Sequence, residues 1–200
     1  MRTLLAIALL AGCGGDDGGG NAMIDAAGSG SGSDAAVQMD APPSTGTFTL
    51  TSPTITEGGA IPLTHVCTNR GGMNQSPELA FANVPTGTMS FAVVLTDLTN
   101  GLVHSSIYDI PGTATGLPAD VDKVYAPTDV PGAHQTNNYS GQRGYAGPCP
   151  PNAHMYQFKV YALGTATLNG ATMTTTKDQV VTTATAANLG TATLTATFTP

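Results

Sequence analysis

Residues 191–198 read Thr-Ala-Thr-Leu-Thr-Ala-Thr-Phe, a strict alternation of hydroxyl and apolar side chains. Period two gathers every apolar group on one face of an extended chain and scatters them around a helix, so this run predicts a half-buried strand. The same period recurs upstream. Phe48 and Leu50 alternate with threonine, and Phe91, Val93 and Leu95 alternate within Ser90–Asp97. Val103–Ile110 and Tyr156–Leu163 read as two more strands, the second apolar on both faces and therefore central. One helix is predicted over Thr176–Asn188, with Thr175 and Asp178 as its capping box and Gly190 at its end. Between Val103–Ile110 and Tyr156–Leu163 lies a Gly/Pro/Asn-rich connection from Pro111 to Pro151, broken at most by short strands. A connection of that length is uncommon in a compact domain unless it carries function, so it is expected to line a site. No internal repeat is visible. The reading is one mostly β domain over 47–200, long enough for a single core.

The first residues follow a different logic. Met1-Arg2-Thr3 is a short positive start, Leu4–Leu10 a short apolar core, and Leu10-Ala11-Gly12-Cys13 sets small residues before a cysteine. That order reads as an export signal over 1–12. The tetrad resembles the lipobox of bacterial lipoproteins, which implies a lipidated Cys13 and an extracytoplasmic domain anchored to the cell envelope. Gly14 in place of an aspartate after the cysteine points to the outer membrane. Residues 13–46 are Gly, Ser, Ala and Asp with Pro42-Pro43 near the end, a composition expected to act as a tether.

Charge narrows the partners. The chain has 13 acids against 6 bases, and the five acids of the tether account for most of its net −7. Residues 47–200 keep eight acids against five bases, a net −3. Nucleic-acid binding needs a basic stripe, which is missing. No apolar run reaches the ~18–20 residues of a spanning helix.

Four histidines occur. His104 lies in a predicted strand, with Asp97 just upstream across a hairpin turn at Thr99-Asn100-Gly101. His154 follows Gly147-Pro148-Cys149-Pro150-Pro151-Asn152-Ala153 and opens the strand at Tyr156. A proline-stiffened loop that delivers one imidazole toward an aspartate and a second imidazole forms a plausible polar pocket. His65 and His134 are assigned to surface or packing.

The order Asn74-Gln75-Ser76-Pro77-Glu78-Leu79, Val84-Pro85-Thr86-Gly87 through Asp97, His104 with Tyr108-Asp109-Ile110-Pro111, and Gly144-Tyr145-Ala146-Gly147-Pro148-Cys149-Pro150-Pro151 with His154 and Tyr156 resembles the phosphatidylethanolamine-binding protein family, in its bacterial Raf-kinase-inhibitor-like branch. The resemblance spans about 47–200. It implies packed antiparallel β-sheets, a helix near the C-terminus, and a small anion pocket at one edge that takes phosphate-like or phospholipid-headgroup ligands. By matching blocks, Asp97, His104, Gly147, Cys149, Pro150, Pro151, His154 and Tyr156 would wall that pocket. Imidazoles, the tyrosine hydroxyl and loop N–H groups would donate to the anion, and Asp97 would orient a histidine. The Asp97 charge would also attract an ammonium, which suits a zwitterion such as phosphoethanolamine.

The chain departs from the family pattern at three points. Asp97-Leu98-Thr99-Asn100 stands where an Asp-Pro-Asp-x-Pro block is usual, Met155 where an arginine follows the histidine, and Ser105-Ser106 where aromatics flank His104. These changes predict a wider, less rigid pocket with weaker anion binding.

With Cys13 lipidated, Cys67 and Cys149 remain as an even pair in an exported domain, expected to form a disulfide; two buried free thiols are the alternative. A Cys149–His154–Asp97 hydrolase triad would lose its nucleophile to that bond. No Gly-x-Ser-x-Gly, His-Glu-x-x-His or phosphate-loop motif appears. Asp97, His104 and His154 have the residue types of a two-His-one-carboxylate metal site, but no metal or cofactor is expected. The expected function is non-enzymatic ligand binding. The alternative is a protease-inhibitor or other interaction module with a vestigial pocket, since family relatives inhibit kinases and serine proteases. The sequence names no protein partner.

Overall fold

The computed structural model describes residues 46–200. The expected signal peptide, Cys13 and residues 13–45 of the expected tether lie outside the described residues.

Among these residues the chain runs β1 (Thr49–Thr51), β2 (Leu79–Ala82), β3 (Ser90–Asp97), β4 (Leu102–Pro111), β5 (Gly116–Leu117), β6 (His134–Gln135), β7 (His154–Leu163), α1 (Lys177–Ala187) and β8 (Asn188–Phe198). Two antiparallel sheets result, ordered β1-β2-β5 and β6-β4-β3-β7-β8. β3 shows why both faces of the larger sheet must be covered. Phe91, Val93 and Leu95 enter one core with Phe48, Leu50 and Phe81 of the smaller sheet, while Ala92 and Val94 enter a second core with Val180 and Ala184 of the helix. The centroids of Phe91 and Phe81 lie 4.9 Å apart. Each fully buried large side chain in these layers contributes about 1.5–3 kcal/mol.

β7 lies between β3 and β8, the interior position its two-sided apolar run predicts. β8 is half-buried as its alternation requires: Ala192, Leu194, Ala196 and Phe198 face the core, and the intervening threonines do not. Its outer edge is covered by the 57–61 segment, where Gly58 and Ile61 N–H donate to Thr195 and Thr197 carbonyls at 2.7 and 2.9 Å. That cover closes the strand edge at Thr195–Thr197.

The helix is shifted against its predicted signals. Thr176, not Thr175, is the N-cap: its hydroxyl accepts from Gln179 N–H at 3.2 Å while Gln179 Oε1 accepts from Thr176 N–H at 2.8 Å. Thr175 Oγ1 instead accepts from Thr172 N–H, closing the preceding turn, and Asp178 pairs with Lys177. Gly190 does not end the helix. The chain enters β8 directly at Asn188, and Gly190 sits within that strand, where a Cβ would lie 2.9 Å from Pro85 Cγ. Among the described residues no helix is long and apolar enough to cross a membrane.

Candidate functional site

At the hairpin end of the larger sheet, Asp97 on β3 and Tyr156 on β7 are cross-strand partners. His154, two residues before Tyr156, shares their face. His154 Nδ1 donates to Asp97 Oδ2 at 2.6 Å, and Asp97 Oδ1 accepts from Thr99 N–H at 2.9 Å. The aspartate is only 2% exposed. It therefore fixes both the turn and the imidazole tautomer, leaving Nε2 of a neutral ring as an acceptor.

His104 reaches the same place through a β-bulge. Thr96 pairs with Val103 and Leu95 with Ser105, so His104 is an extra residue in β4. A bulge of this kind re-aims a side chain at a sheet edge. His104 Nδ1 donates to the Ala146 carbonyl at 3.0 Å, so a neutral ring presents Nε2 as an acceptor. Burial lowers its pKa below the ordinary 6.5; the Ala146 and Gly147 carbonyls and Asp97 oppose that shift, and His154 adds to it. The ring packs against Tyr139 at 4.4 Å and edge-on to Tyr156 at 5.3 Å. Burial and the neighbouring Asp97 hold the Tyr156 phenol well above the ordinary tyrosine range, with the Cys149 backbone acting against them.

A cavity of about 160 Å³ opens between these groups, lined by Asp97, His104, His154 and Tyr156, by Cys149, Pro150 and Pro151 of the loop, and by Asn100, Leu102 and Tyr139. Drug-sized pockets run to about 300–1,000 Å³, so this one suits a headgroup-sized ligand. Seven of the eight sequence-proposed residues meet around it. Gly147 does not line it. Its N–H donates to Asn74 Oδ1 at 2.8 Å, and a Cβ there would lie 2.0 Å from the His65 carbonyl, so this glycine seats the loop instead. The loop is further held by the Cys67–Cys149 disulfide, by Cys67 N–H to the Pro148 carbonyl at 3.0 Å, and by the Tyr145 hydroxyl to the His65 carbonyl at 2.7 Å.

Asp97 lines the cavity and accepts from Thr99 N–H through one oxygen and from His154 Nδ1 through the other, with acceptor capacity left on each. Burial and the neighbouring Asp97 keep the Tyr156 phenol protonated, so its hydroxyl remains a donor at the cavity wall. Ser105 and Ser106 do not widen the pocket. They line a separate cavity of about 40 Å³ inside the core with Val93, Leu95 and Phe158, and Ser106 bonds Thr136 at 3.0 Å. Asn100 and Tyr139, which the sequence reading left out of the site, supply polar groups instead. The oxygen of Asn100 accepts from Leu102 N–H at 2.9 Å, leaving its amide nitrogen as a donor. Asn100 was visible only as turn chemistry. Tyr139 arrives from the long connection, where its N–H donates to the His104 carbonyl at 2.9 Å.

His65 is a packing residue: 3% exposed, it is bonded to Thr54 Oγ1 and to the Gln75 carbonyl at 2.9 Å each. His134 pairs with Asp109 at 3.1 Å, away from the cavity. Among the described residues no group of three or more His, Cys, Asp or Glu side chains is arranged to hold a metal ion.

Comparison with known proteins agrees with this architecture. The profile described as Phosphatidylethanolamine-binding protein matches residues 51–199. The UPF0098 protein YbcL of Escherichia coli K12 is 39% identical over 127 residues, covering 59% of this chain and 69% of that protein. A UPF0098 protein of Aquifex aeolicus VF5 is 37% identical over 117 residues, covering 56% of this chain and 65% of its own length. The crystal structure of E. coli YbcL, described as a new member of the mammalian PEBP family, aligns with a TM-score of 0.71 at 34% identity, over 78% of this chain and 99% of that one. A PEBP homologue from Chlamydia trachomatis, CT736, aligns with a TM-score of 0.64 at 26% identity, over 77% and 98% of the two chains. With the paired sheets, the C-terminal helix and a profile match over most of its length, the chain belongs to the phosphatidylethanolamine-binding protein family.

Proposed function

We propose that the cavity between β3, β4 and β7 binds a small phosphate-bearing zwitterion of the phosphoethanolamine type, without chemical turnover, in an extracytoplasmic protein anchored through a lipidated Cys13. The observation that carries the reading is the convergence of His104, His154, Asn100 and Tyr139 on one cavity of about 160 Å³, with His154 fixed by Asp97 at 2.6 Å. A zwitterion matches this set. The Asn100 amide and the Tyr139 hydroxyl donate to phosphate oxygens, and each neutral imidazole offers Nε2 to an ammonium proton. Protonation of either imidazole adds a donor for the phosphate. Binding without turnover is supported by Cys149, whose sulfur is held in a disulfide and is no nucleophile. The export and anchoring part is supported by the Leu10-Ala11-Gly12-Cys13 tetrad.

Calorimetric titration of the protein with phosphoethanolamine, beside a His154→Ala variant, tests the reading. Saturable binding that the variant loses supports it. No binding at millimolar ligand, or equal binding by the variant, overturns it.

A further inference from the structure

Asn100 sits in the turn between β3 and β4, and its side chain serves both the turn and the cavity. Oδ1 accepts from Leu102 N–H at 2.9 Å, closing an Asx turn, and the residue lines the cavity wall. Only an oxygen can accept from that N–H, so the bond fixes which branch of the amide faces the backbone and leaves Nδ2 as the other. The turn is held in place by Gly101 N–H to the Asp97 carbonyl at 2.8 Å and Thr99 N–H to Asp97 Oδ1 at 2.9 Å. An aspartate would close it equally well, because it offers Leu102 the same acceptor. Turn chemistry is therefore indifferent between Asn and Asp. What distinguishes them is the atom the backbone does not use.

The rest of the wall shows what that atom does. Among the described residues no Lys or Arg lines the cavity, and its one carboxylate is Asp97. An anionic group must therefore be held by neutral donors against the field of that carboxylate. The Tyr139 and Tyr156 hydroxyls can donate or accept. His104 and His154, each with Nδ1 bonded to the protein, present an acceptor at Nε2 when neutral. Asn100 Nδ2 is the side-chain group at this wall that can donate and never accept. We infer that Asn100 is the specificity-determining residue of the cavity: its amide reads the anionic end of the ligand and makes the site prefer a phosphate-bearing ammonium to the same ammonium without phosphate. The inference rests on the zwitterion reading and adds the atom that sets ligand charge. Replacing Nδ2 by oxygen would turn a donor into an acceptor and put a second carboxylate at the wall with Asp97, which repels phosphate and attracts ammonium.

The test is calorimetric titration of the full chain and of Asn100→Asp at neutral pH, each with phosphoethanolamine and with ethanolamine. The substitution keeps the acceptor for Leu102 N–H, and near-ultraviolet dichroism checks the fold. The unsubstituted protein should bind phosphoethanolamine more tightly than ethanolamine. In Asn100→Asp the order should reverse: phosphoethanolamine weakens about ten- to a hundredfold, the loss expected for a hydrogen bond to a charged group, while ethanolamine binding is kept or strengthened. A merely structural role would weaken both ligands together, and that result overturns the assignment. Asn100→Ser keeps an acceptor for the turn without added charge and supplies the comparison where the aspartate variant does not fold; it should weaken phosphoethanolamine and leave ethanolamine unchanged. Equal phosphoethanolamine binding by the unsubstituted protein and the folded variants overturns the inference and leaves the zwitterion reading standing. No phosphoethanolamine binding by the unsubstituted protein overturns both.

Discussion

Removing the Cys67–Cys149 disulfide isolates what the bond contributes to the fold from what it contributes to the site. The two cysteines are separated by 82 residues. Loop-closure entropy for a cross-link of that span, released into the unfolded chain when the bond is absent, destabilises the domain by about 4.5 kcal/mol at 25 °C. For a domain of this size the loss corresponds to a fall in Tm of roughly 9–18 °C. The site should fare differently. The loop carrying Cys149, Pro150 and Pro151 is also held by Gly147 N–H to Asn74, Cys67 N–H to Pro148 and the Tyr145 hydroxyl to His65. A Cys67→Ala/Cys149→Ala variant, kept well below its lowered Tm, should therefore retain headgroup binding while unfolding at much lower urea. Urea denaturation and calorimetric titration on the same samples read the two quantities. A stability loss under about 1 kcal/mol, the size of one ordinary hydrogen bond, would refute the entropic argument. Loss of binding by a fully folded variant would show that the hydrogen bonds do not hold the loop.

Two further outcomes follow from the same contacts. Gly147→Ala places a Cβ 2.0 Å from a backbone carbonyl, which no side-chain movement relieves; it should cost about 1–3 kcal/mol in urea unfolding and weaken binding by displacing the loop, and an unchanged midpoint would contradict the packing role. Burial lowers the His104 pKa, so as pH falls below 6.5 the unfolded chain takes a proton before the folded one does, and stability declines until the folded ring is itself protonated. His104→Asn should remove that increment from the Tm–pH curve; a wild-type-minus-variant difference that stays flat, or grows as pH falls, would disprove it.

How legible the fold was depends on element length. Thr191–Phe198 and Tyr156–Leu163 carry enough residues for their periodicity to declare one face or two, and both occupy the expected places. β5 and β6 are two residues each, too short for any period, and emerge only as hydrogen-bonded breaks in the Pro111–Pro151 connection. β2, with four residues, went unseen for the same reason. The helix was displaced by one residue at its start because threonines occupy three successive positions, 174–176, and only backbone geometry decides which hydroxyl caps. Within the site, Asp97, His104 and His154 were legible from their residue types beside a hairpin turn and a proline-stiffened loop, and Cys149, Pro150, Pro151 and Tyr156 from the family resemblance. The bulge that aims His104 was not announced by any propensity, and Tyr139 reaches the site only through a long-range contact from the connection.

The departures from the family pattern take on a different sense once the hairpin is seen. Loss of the prolines after Asp97 suggested a looser pocket, yet the turn is closed by Gly101 N–H to the Asp97 carbonyl at 2.8 Å, Thr99 N–H to Asp97 Oδ1 at 2.9 Å and Leu102 N–H to Asn100 Oδ1 at 2.9 Å. Two more bonds stitch it to β7: Leu98 N–H to the Met155 carbonyl at 2.8 Å and Met155 N–H to Thr99 Oγ1 at 3.0 Å. Ring stiffness has been replaced by five hydrogen bonds that run through the residues which differ. Those same residues then divide the labour. Thr99 holds the turn, Asn100 turns an amide into the cavity, and Leu98 and Met155 face outward, where the family pattern would set a proline and an arginine. The altered block thus keeps the hydrogen bonds that hold Asp97 and through it His154, and sets exposed apolar side chains where the family pattern would carry a ring and a charge.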